Sequence, residues 1–258
     1  MTGLENKRAI VTGGSAGIGL EIVRSLRAQG AEVTAIARND AKLDAARDAG
    51  ARAIVGDATD AGLIGSAIDT VDPDILILNA GARLAAKTLD RQNWDDFSAI
   101  WNTDVRATFV GIQAALHRPL RPGSRVLVMS SGAAMVMSLP AIKPEDLRMS
   151  GGYIGAKRMV WFMAHQANAV SRERGLNVLF QVLVPAQLMA GTELGRVVAT
   201  AYADAEGITV EEHILGRYGS HLEPAQVGRQ VAELLDDPAY RTGVAYGIRA
   251  GVQPFPLD

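Results

Sequence analysis

Cysteine is absent from the 258 residues. That excludes a disulfide framework, a thiolate nucleophile and a Cys-ligated metal, and it leaves the redox compartment open. A basic surplus is absent too: 26 Lys and Arg stand against 28 Asp and Glu, for a net charge of −2 and a pI near 6.1. Nucleic acid or an anionic membrane surface calls for a concentrated basic face, and here the basic residues are scattered, so neither partner is expected. Long apolar runs are missing. The longest, VLFQVLVPAQLMA at 178–190, is broken by Pro185 and falls short of the roughly 18 residues of a membrane span. His117, His165, His213 and His221 show no pairing at metal-ligand spacing, so no metal is expected. The start, MTGLENKRAIVTGG, carries charge among its first eight residues and enters a strand at once. It leaves no room for a signal-peptide core and makes the cytoplasm the expected compartment.

What is present is alternation. Short β-branched and aliphatic runs recur between helical stretches: RAIVTG (8–13), AEVTAIA (31–37), ARAIVG (51–56), DILILNA (74–80), SRVLVMS (124–130) and LNVLFQVLV (176–184). They lack strict polar alternation, as strands covered on both faces by helices do. The pattern predicts one α/β domain of Rossmann type, a doubly wound parallel sheet of about seven strands flanked by helices, with ligands at the carboxyl ends of the strands. Gly30, Gly50 and Gly175 each fall just before a strand, where a helix cap needs positive φ. Two stretches fit the alternation badly: MSLPAIKPEDLRMSGG (137–152) and the segment from Ala186 to about Glu223. Loops of that length are usually functional, and 188–222 is read as a substrate lid.

TGGSAGIG (12–19) follows the first strand and opens a helix. Gly13 supplies a tight turn, Gly17 lets backbone approach a pyrophosphate, and Gly19 packs helix on strand, with Ser15 and Ile18 between them and the anion at the helix N-terminus. A glycine-rich turn that binds nothing is the alternative. Three companions favour a dinucleotide. Asp57, followed by Ala58, ends the third strand, where a carboxylate can accept from an adenine amino group. Asn79-Ala80-Gly81 ends the fourth, with a glycine where a flat cofactor would approach. The second strand ends in Ala37-Arg38, not in the acid that holds the ribose hydroxyls of NAD, so NADP(H) is expected over NAD(H).

The fifth strand ends in Ser130-Ser131, and YIGAK (153–157) lies downstream on a helix. Tyr153 and Lys157 at i, i+4 share a face. A free tyrosine titrates near pH ~10, and an adjacent ammonium favours the phenolate, so the pair can act as general acid and base. In this order these residues resemble the short-chain dehydrogenases/reductases, with their TGxxxGxG turn, NAG segment, serine after the fifth strand and YxxxK. The resemblance covers nearly the whole chain. It implies a nicotinamide oxidoreductase in which Tyr153 moves the proton of the substrate oxygen, Ser131 hydrogen-bonds the carbonyl and Lys157 holds the nicotinamide ribose. It also implies a small-molecule carbonyl or alcohol substrate, and a homotetramer or homodimer packed through the helices that begin near Trp94 and Tyr153.

The chain departs from that family at three places. A long helix is predicted from about Trp94. On it Asp104 shares a stripe with Phe97, Ile100, Trp101, Thr108 and Gly111, whereas Asn102 shares one with Asp95, Ser98, Ala99 and Arg106. Asp104 should therefore look inward, at the position where the family has the asparagine of its proton relay. The serine stands 22 residues before Tyr153, a longer gap than usual. Ser138, 15 before it, is the alternative, and PAIKPEDLR reads as an insertion. VPAQ (184–187) has Ala186 after Pro185 where the family has Pro-Gly, so the turn into the lid is expected to differ. Thr192 follows in AGTELG, placed to bond the nicotinamide carboxamide. Met135 and Met137 follow the serine and are candidates to line a pocket. The lid is rich in Leu, Val and Ala, which suggests a partly apolar substrate. Two other readings stay open: a dinucleotide-binding sensor or scaffold with impaired redox chemistry, and a non-redox acid/base enzyme on the same fold.

Overall fold

The computed structural model describes residues 3–138 and 152–258. Eight strands form one sheet in the order β3-β2-β1-β4-β5-β6-β7-β8. They are β1 (Arg8–Thr12), β2 (Glu32–Ala37), β3 (Arg52–Val55), β4 (Ile75–Leu78), β5 (Arg125–Met129), β6 (Leu179–Pro185), β7 (Ala245–Ile248) and β8 (Phe255–Pro256). Seven run parallel, and β8 pairs antiparallel with β7. The order reverses between β1 and β4, so the crevice that such sheets use for ligands opens at the ends of those two strands.

The helices are α1 (Gly17–Ala28), α2 (Asp40–Asp48), α3 (Ala61–Val71), α4 (Trp94–Ile100), α5 (Arg106–His117), α6 (Tyr153–Glu173), α7 (Glu193–Glu206), α8 (Val210–Tyr218) and α9 (Pro224–Asp236). They cover both faces of the sheet. One core joins β1, β2 and β7 to α1 and α9, and the other joins β4, β5 and β6 to α3, α5 and α6. Strands buried on both sides explain why the apolar runs do not alternate. Gly30, Gly50 and Gly175 have φ of 85°, 81° and 64°, as their places after helices require.

The structure corrects the expected layout at three points. β7 and β8 were not among the predicted runs, because AYGI has only two aliphatic residues besides Tyr and Gly and FP is two residues long. The segment 186–223 is not a long loop; it folds largely into α7 and α8, whose N-caps are Thr192 and Thr209. The buried stripe of α7 is Gly195, Ala199 and Ala203, spaced i, i+4, i+8, which makes a helical face of residues too small to register as hydrophobic periodicity. The third correction concerns the long helix. It begins at Trp94 but passes through a π-helical turn, Trp101–Val105, between α4 and α5. Such a wide turn adds a residue and redirects a side chain, commonly at a functional site.

Away from the crevice, Arg125 is the bulkiest fully buried side chain. Its guanidinium donates to Gln181 and to the carbonyls of Leu234 and Leu235 at the end of α9. Burial among these neutral acceptors pushes it down to about 10.

Candidate functional site

At the carboxyl ends of β1, β2, β4, β5 and β6 lies a cleft of about 1350 Å³. Every residue singled out from the sequence as a site candidate lines it, with the exception of Met137 and Ser138, whose side chains lie outside the described residues together with the PAIKPEDLR segment.

The nucleotide end is made largely of backbone. Gly13 and Gly17 have φ of 68° and 54°, values that favour glycine. A Cβ on Gly19 would lie 2.2 Å from the Gly13 carbonyl oxygen, so helix and turn touch only because that atom is missing. The turn is clamped from β4. Thr12 Oγ1 donates to Ile77 O at 3.2 Å and accepts from the amides of Asn79 and Ala80 at 3.0 and 3.2 Å. Asn79 Nδ2 donates back to the Thr12 and Gly13 carbonyls at 3.2 and 3.3 Å. Asn79 is thus a fastener of the turn as well as a wall of the cleft.

The first turn of α1 has no side-chain cap and no acid, whereas α2, α3 and α4 are capped by Asn39, Asp60 and Asn93. Free amides at a helix start that faces a cleft suit a phosphate. Nearby, Arg38 and Lys42 are exposed at the rim. Arg38 is 4.0 Å from Asp57, a contact loose enough to be exchanged for a phosphate. Asp57 accepts from the Thr59 amide at 2.8 Å and its hydroxyl at 2.9 Å, and the backbone bond chiefly holds the carboxyl below the usual carboxylate range. Lys42 was missed in the sequence, where only its place two residues into a helix from the strand-end arginine could have marked it.

At the centre stand Ser131, Tyr153, Lys157 and Asp104. Tyr153 opens α6, and its ring centroid is 5.6 Å from Lys157 Nζ. Lys157 is buried, and its ammonium donates to Asp104 Oδ2 at 2.9 Å and to the Met129 carbonyl at 3.2 Å. Burial opposes its charge, but Asp104 and Tyr153 outweigh that and hold it above its ordinary value. Asp104 is buried and Asn102 exposed, as the stripes predicted. The other oxygen of Asp104 accepts from the Ala82 amide at 2.7 Å, so the carboxylate ties α6 to the segment after β4. Gly81 makes room for this, since a Cβ there would lie 3.1 Å from Asp104 Oδ2. The two serines divide. Ser130 is buried and donates to the Lys157 carbonyl at 2.8 Å, while Ser131 is half-buried and accepts from the Ala133 amide at 3.2 Å.

Beyond Tyr153 the wall passes to the lid. Ala186 has no positive φ, and its amide bonds Ile248 O at 2.8 Å; the turn after Pro185 has no need of glycine. Gln187 donates to Ser220 O at 3.0 Å and accepts from the Ala250 amide at 2.7 Å, tying the lid to the end of β7. Thr192 Oγ1 caps α7 by accepting from Gly195 N at 2.9 Å and donates to Met189 O at 3.0 Å. Its lone pair left over is what it can offer a carboxamide. Met135 lines the cleft. Among the described residues there is no cluster of His, Asp or Glu suited to a metal, and no helix is long and apolar enough to cross a membrane.

A family model described as short chain dehydrogenase matches residues 7–142, just over half of the chain. Gluconate 5-dehydrogenase of Gluconobacter oxydans is 32% identical over 154 residues, 55% of this chain and 59% of the relative. The chain spans about half the length of several curated relatives it matches in this way. 2-(S)-hydroxypropyl-CoM dehydrogenase 3 of Xanthobacter autotrophicus is 26% identical over 96% of this chain and 97% of the relative. A short chain dehydrogenase from Burkholderia cenocepacia, solved in complex with NADP, superposes with a TM-score of 0.71 at 26% identity, over 95% of this chain and 96% of the other.

Proposed function

Because the chain belongs to the short chain dehydrogenase family, we propose that it is an NADP(H)-dependent oxidoreductase that interconverts a carbonyl and an alcohol on a small, partly apolar molecule. The observation that carries the reading is the meeting of Ser131, Tyr153 and Lys157 in the same cleft as an uncapped helix start. The residues fit the cofactor: the amides of Gly17, Ile18 and Gly19, with Ser15, would hold a pyrophosphate. Arg38 and Lys42 would offer two cations to a 2′-phosphate, Asp57 and Ala58 would hold the adenine, Ala80 and Gly81 the ribose, and Thr192 and Pro185 the nicotinamide. When bound, the cofactor supplies or takes up a hydride at the carbon that carries the substrate oxygen.

The chain's own residues do the rest. Ser131 donates to the substrate oxygen and fixes its position. Tyr153 gives that oxygen a proton in reduction and removes one in oxidation. Lys157 places a positive charge beside the phenol, and the third N–H of its ammonium remains for a ribose hydroxyl. Asp104 holds Lys157 and balances part of its charge, so the relay runs through a carboxylate instead of an amide. In reduction, general acid–base catalysis of this sort contributes about 10²–10⁴-fold.

The same carboxylate favours a second reading, a cofactor-binding sensor, because it takes up the cation that would otherwise serve Tyr153 alone. Single-turnover oxidation of NADPH against a panel of aldehydes and ketones separates the two. The enzyme reading expects oxidation that drops at least about a hundredfold in Tyr153→Phe, with NADPH affinity kept. Tight NADPH binding with no acceptor turned over by either protein would move the assignment to the sensor.

The same reading places the protein in the cytoplasm as a homodimer or homotetramer. Trp94 on α4 and Phe162 on α6 are 74% and 57% exposed, and Phe109 on α5 is exposed as well. Apolar rings on the helices that pack subunits in this family support that assembly.

A further inference from the structure

Helix α7 carries two stripes. The buried one is Gly195, Ala199 and Ala203. The other, Leu194, Val197 and Val198 at i, i+3, i+4, lines the cleft. Val197 is 39% exposed, so an aliphatic group stands open to the cavity.

A second wall comes from the segment after β4. The Ala82 amide donates to Asp104 Oδ1 at 2.7 Å, which fixes this segment to the carboxylate that holds Lys157. Two residues on, Leu84 is buried with Ile100 and Ala156, and Tyr153, Leu194 and Val198 pack against that same cluster. Arg83 and Glu193, the residues just before Leu84 and Leu194, pair at 2.9 Å. An ion pair and an apolar contact thus join the two walls next to the phenol of Tyr153.

The chemistry of this corner is uniform. Leu84, Leu194, Val197 and Val198 all line the cleft, and none has a side-chain donor or acceptor. A substrate hydroxyl laid against these four side chains gives up water and gets nothing from them, a cost of about tenfold or more in affinity. A methylene covered there gains about threefold to fourfold.

We propose that the group attached to the reacting carbon is an aliphatic chain lying on Leu84, Leu194, Val197 and Val198, and that these four side chains turn away polyhydroxylated carbonyl compounds. The place of the carbonyl, beside Tyr153, rests on the oxidoreductase reading; the apolar wall does not. One turn of α7, about 6 Å, separates Leu194 from Val198, so the gain should run over the first few methylenes and then level off.

The test uses two matched sets. Straight-chain methyl ketones, from acetone to methyl pentyl ketone, report turnover with saturating NADPH. Straight-chain carboxamides, from acetamide to hexanamide, present a carbonyl that is not reduced and report binding by calorimetry on the NADP complex. Gluconamide is the counterpart of hexanamide with hydroxyls along the chain. In the wild type, kcat/KM for the ketones and affinity for the amides should each rise about threefold per methylene, and hexanamide should bind at least about tenfold tighter than gluconamide. Both rises should flatten in Leu194→Ala and in Val197→Thr. Val197 is exposed, so its variant keeps the test available should Leu194→Ala fail to fold; the melting temperature and NADPH affinity of each variant report this.

Amide affinity that does not rise with chain length, gluconamide bound as tightly as hexanamide, or a rise untouched by both substitutions overturns the proposal; ketone reduction that needs Tyr153 would still leave the oxidoreductase reading standing. Amide affinity that rises with chain length and depends on Leu194 and Val197, with no ketone reduced, supports the aliphatic wall and counts against the redox reading.

Discussion

The two ends of the cleft are made of different materials. From Gly13 to Gly19 the wall is backbone, shaped by missing Cβ atoms and clamped by Thr12 and Asn79. Along α7 and α8 it is side chain: Leu194, Val198, Tyr202, His213, Arg217. A backbone wall recognises what every nicotinamide dinucleotide shares, and it tolerates almost no substitution. A side-chain wall can be rewritten residue by residue without disturbing the sheet, so specificity belongs there. The first lid helix, α7, also rests on small residues, Gly195, Ala199 and Ala203, which anchor it without large interlocking groups.

Glycine substitution at the two ends breaks the comparison most directly. Gly19→Ala drives a methyl against the Gly13 carbonyl, 2.2 Å from its oxygen, so NADPH affinity should fall by about a hundredfold or more, in line with the 2–4 kcal/mol of overpacking and lost amide contacts. Gly216→Ala on α8 meets nothing within 4 Å and needs no positive φ. It should stabilise the protein by up to about 1 kcal/mol, the helix propensity difference, and leave NADPH affinity alone. Fluorescence titration and thermal melts check both. Equal losses in the two variants would mean that the lid is as tightly built as the turn.

Cofactor choice is the next effect in size. Removing the charge in Arg38→Ala should weaken NADPH by about 10–100-fold and change NADH little, because a charge-assisted bond to phosphate is worth about 1.5–3 kcal/mol. Lys42→Ala should do the same to a smaller degree. A uniform loss for both cofactors would remove the 2′-phosphate from this corner.

Asp104→Asn probes the seam between the ends. The Lys157 ammonium is held above its ordinary value despite burial, chiefly by Asp104 and then Tyr153. A raised lysine contributes stability that is fully present below the unfolded value, near ~10.4, and is lost as pH rises through the folded one. Without the carboxylate, burial is opposed by Tyr153 and no longer by Asp104. The variant should melt below wild type at pH 7, by about 1–2 kcal/mol, and the gap should close as the solution becomes strongly alkaline. In turnover, the ammonium's field on the phenolate is no longer balanced, so the rising limb of alcohol oxidation should move to lower pH. An unchanged profile would leave Asp104 as a fastener of α6 and nothing more.

Much of this was legible in the chain. The strands β1 to β6, the glycine turn and the Ser131, Tyr153 and Lys157 set each depend on local spacing, and local spacing is what a sequence displays. Asp104 could be turned inward from its stripe alone, although the π-helical turn around it could not be foreseen, since no residue there breaks an α-helix. The lid helix α7 escaped because its buried face is Gly195, Ala199 and Ala203. His213, Arg217 and Arg249 escaped for another reason. They reach the cleft from α8 and from the end of β7, more than 30 residues apart in the chain, and only the folded sheet brings them together. Gln187, which joins those two segments, gave no local signal either.

The smallest effect sharpens the comparison furthest. Arg83, after β4, bridges to Glu193 at the start of α7 at 2.9 Å, with both side chains more than half exposed. Among the described residues, this ion pair links the rigid side of the cleft to the lid. An exposed pair of this kind is worth about 0–1 kcal/mol, so Arg83→Gln should leave the melting temperature nearly unchanged. If the pair also sets how far the lid stands open, KM for the carbonyl substrate should move by a small factor while kcat and NADPH affinity hold. Raising salt should have the same effect on the wild type and little on the variant, because screening already dissolves what the substitution removes. A shift in NADPH affinity instead would show that the bridge braces the nucleotide end, and that the division between a fixed backbone wall and an adjustable side-chain wall lies closer to Gly17 than to Tyr153.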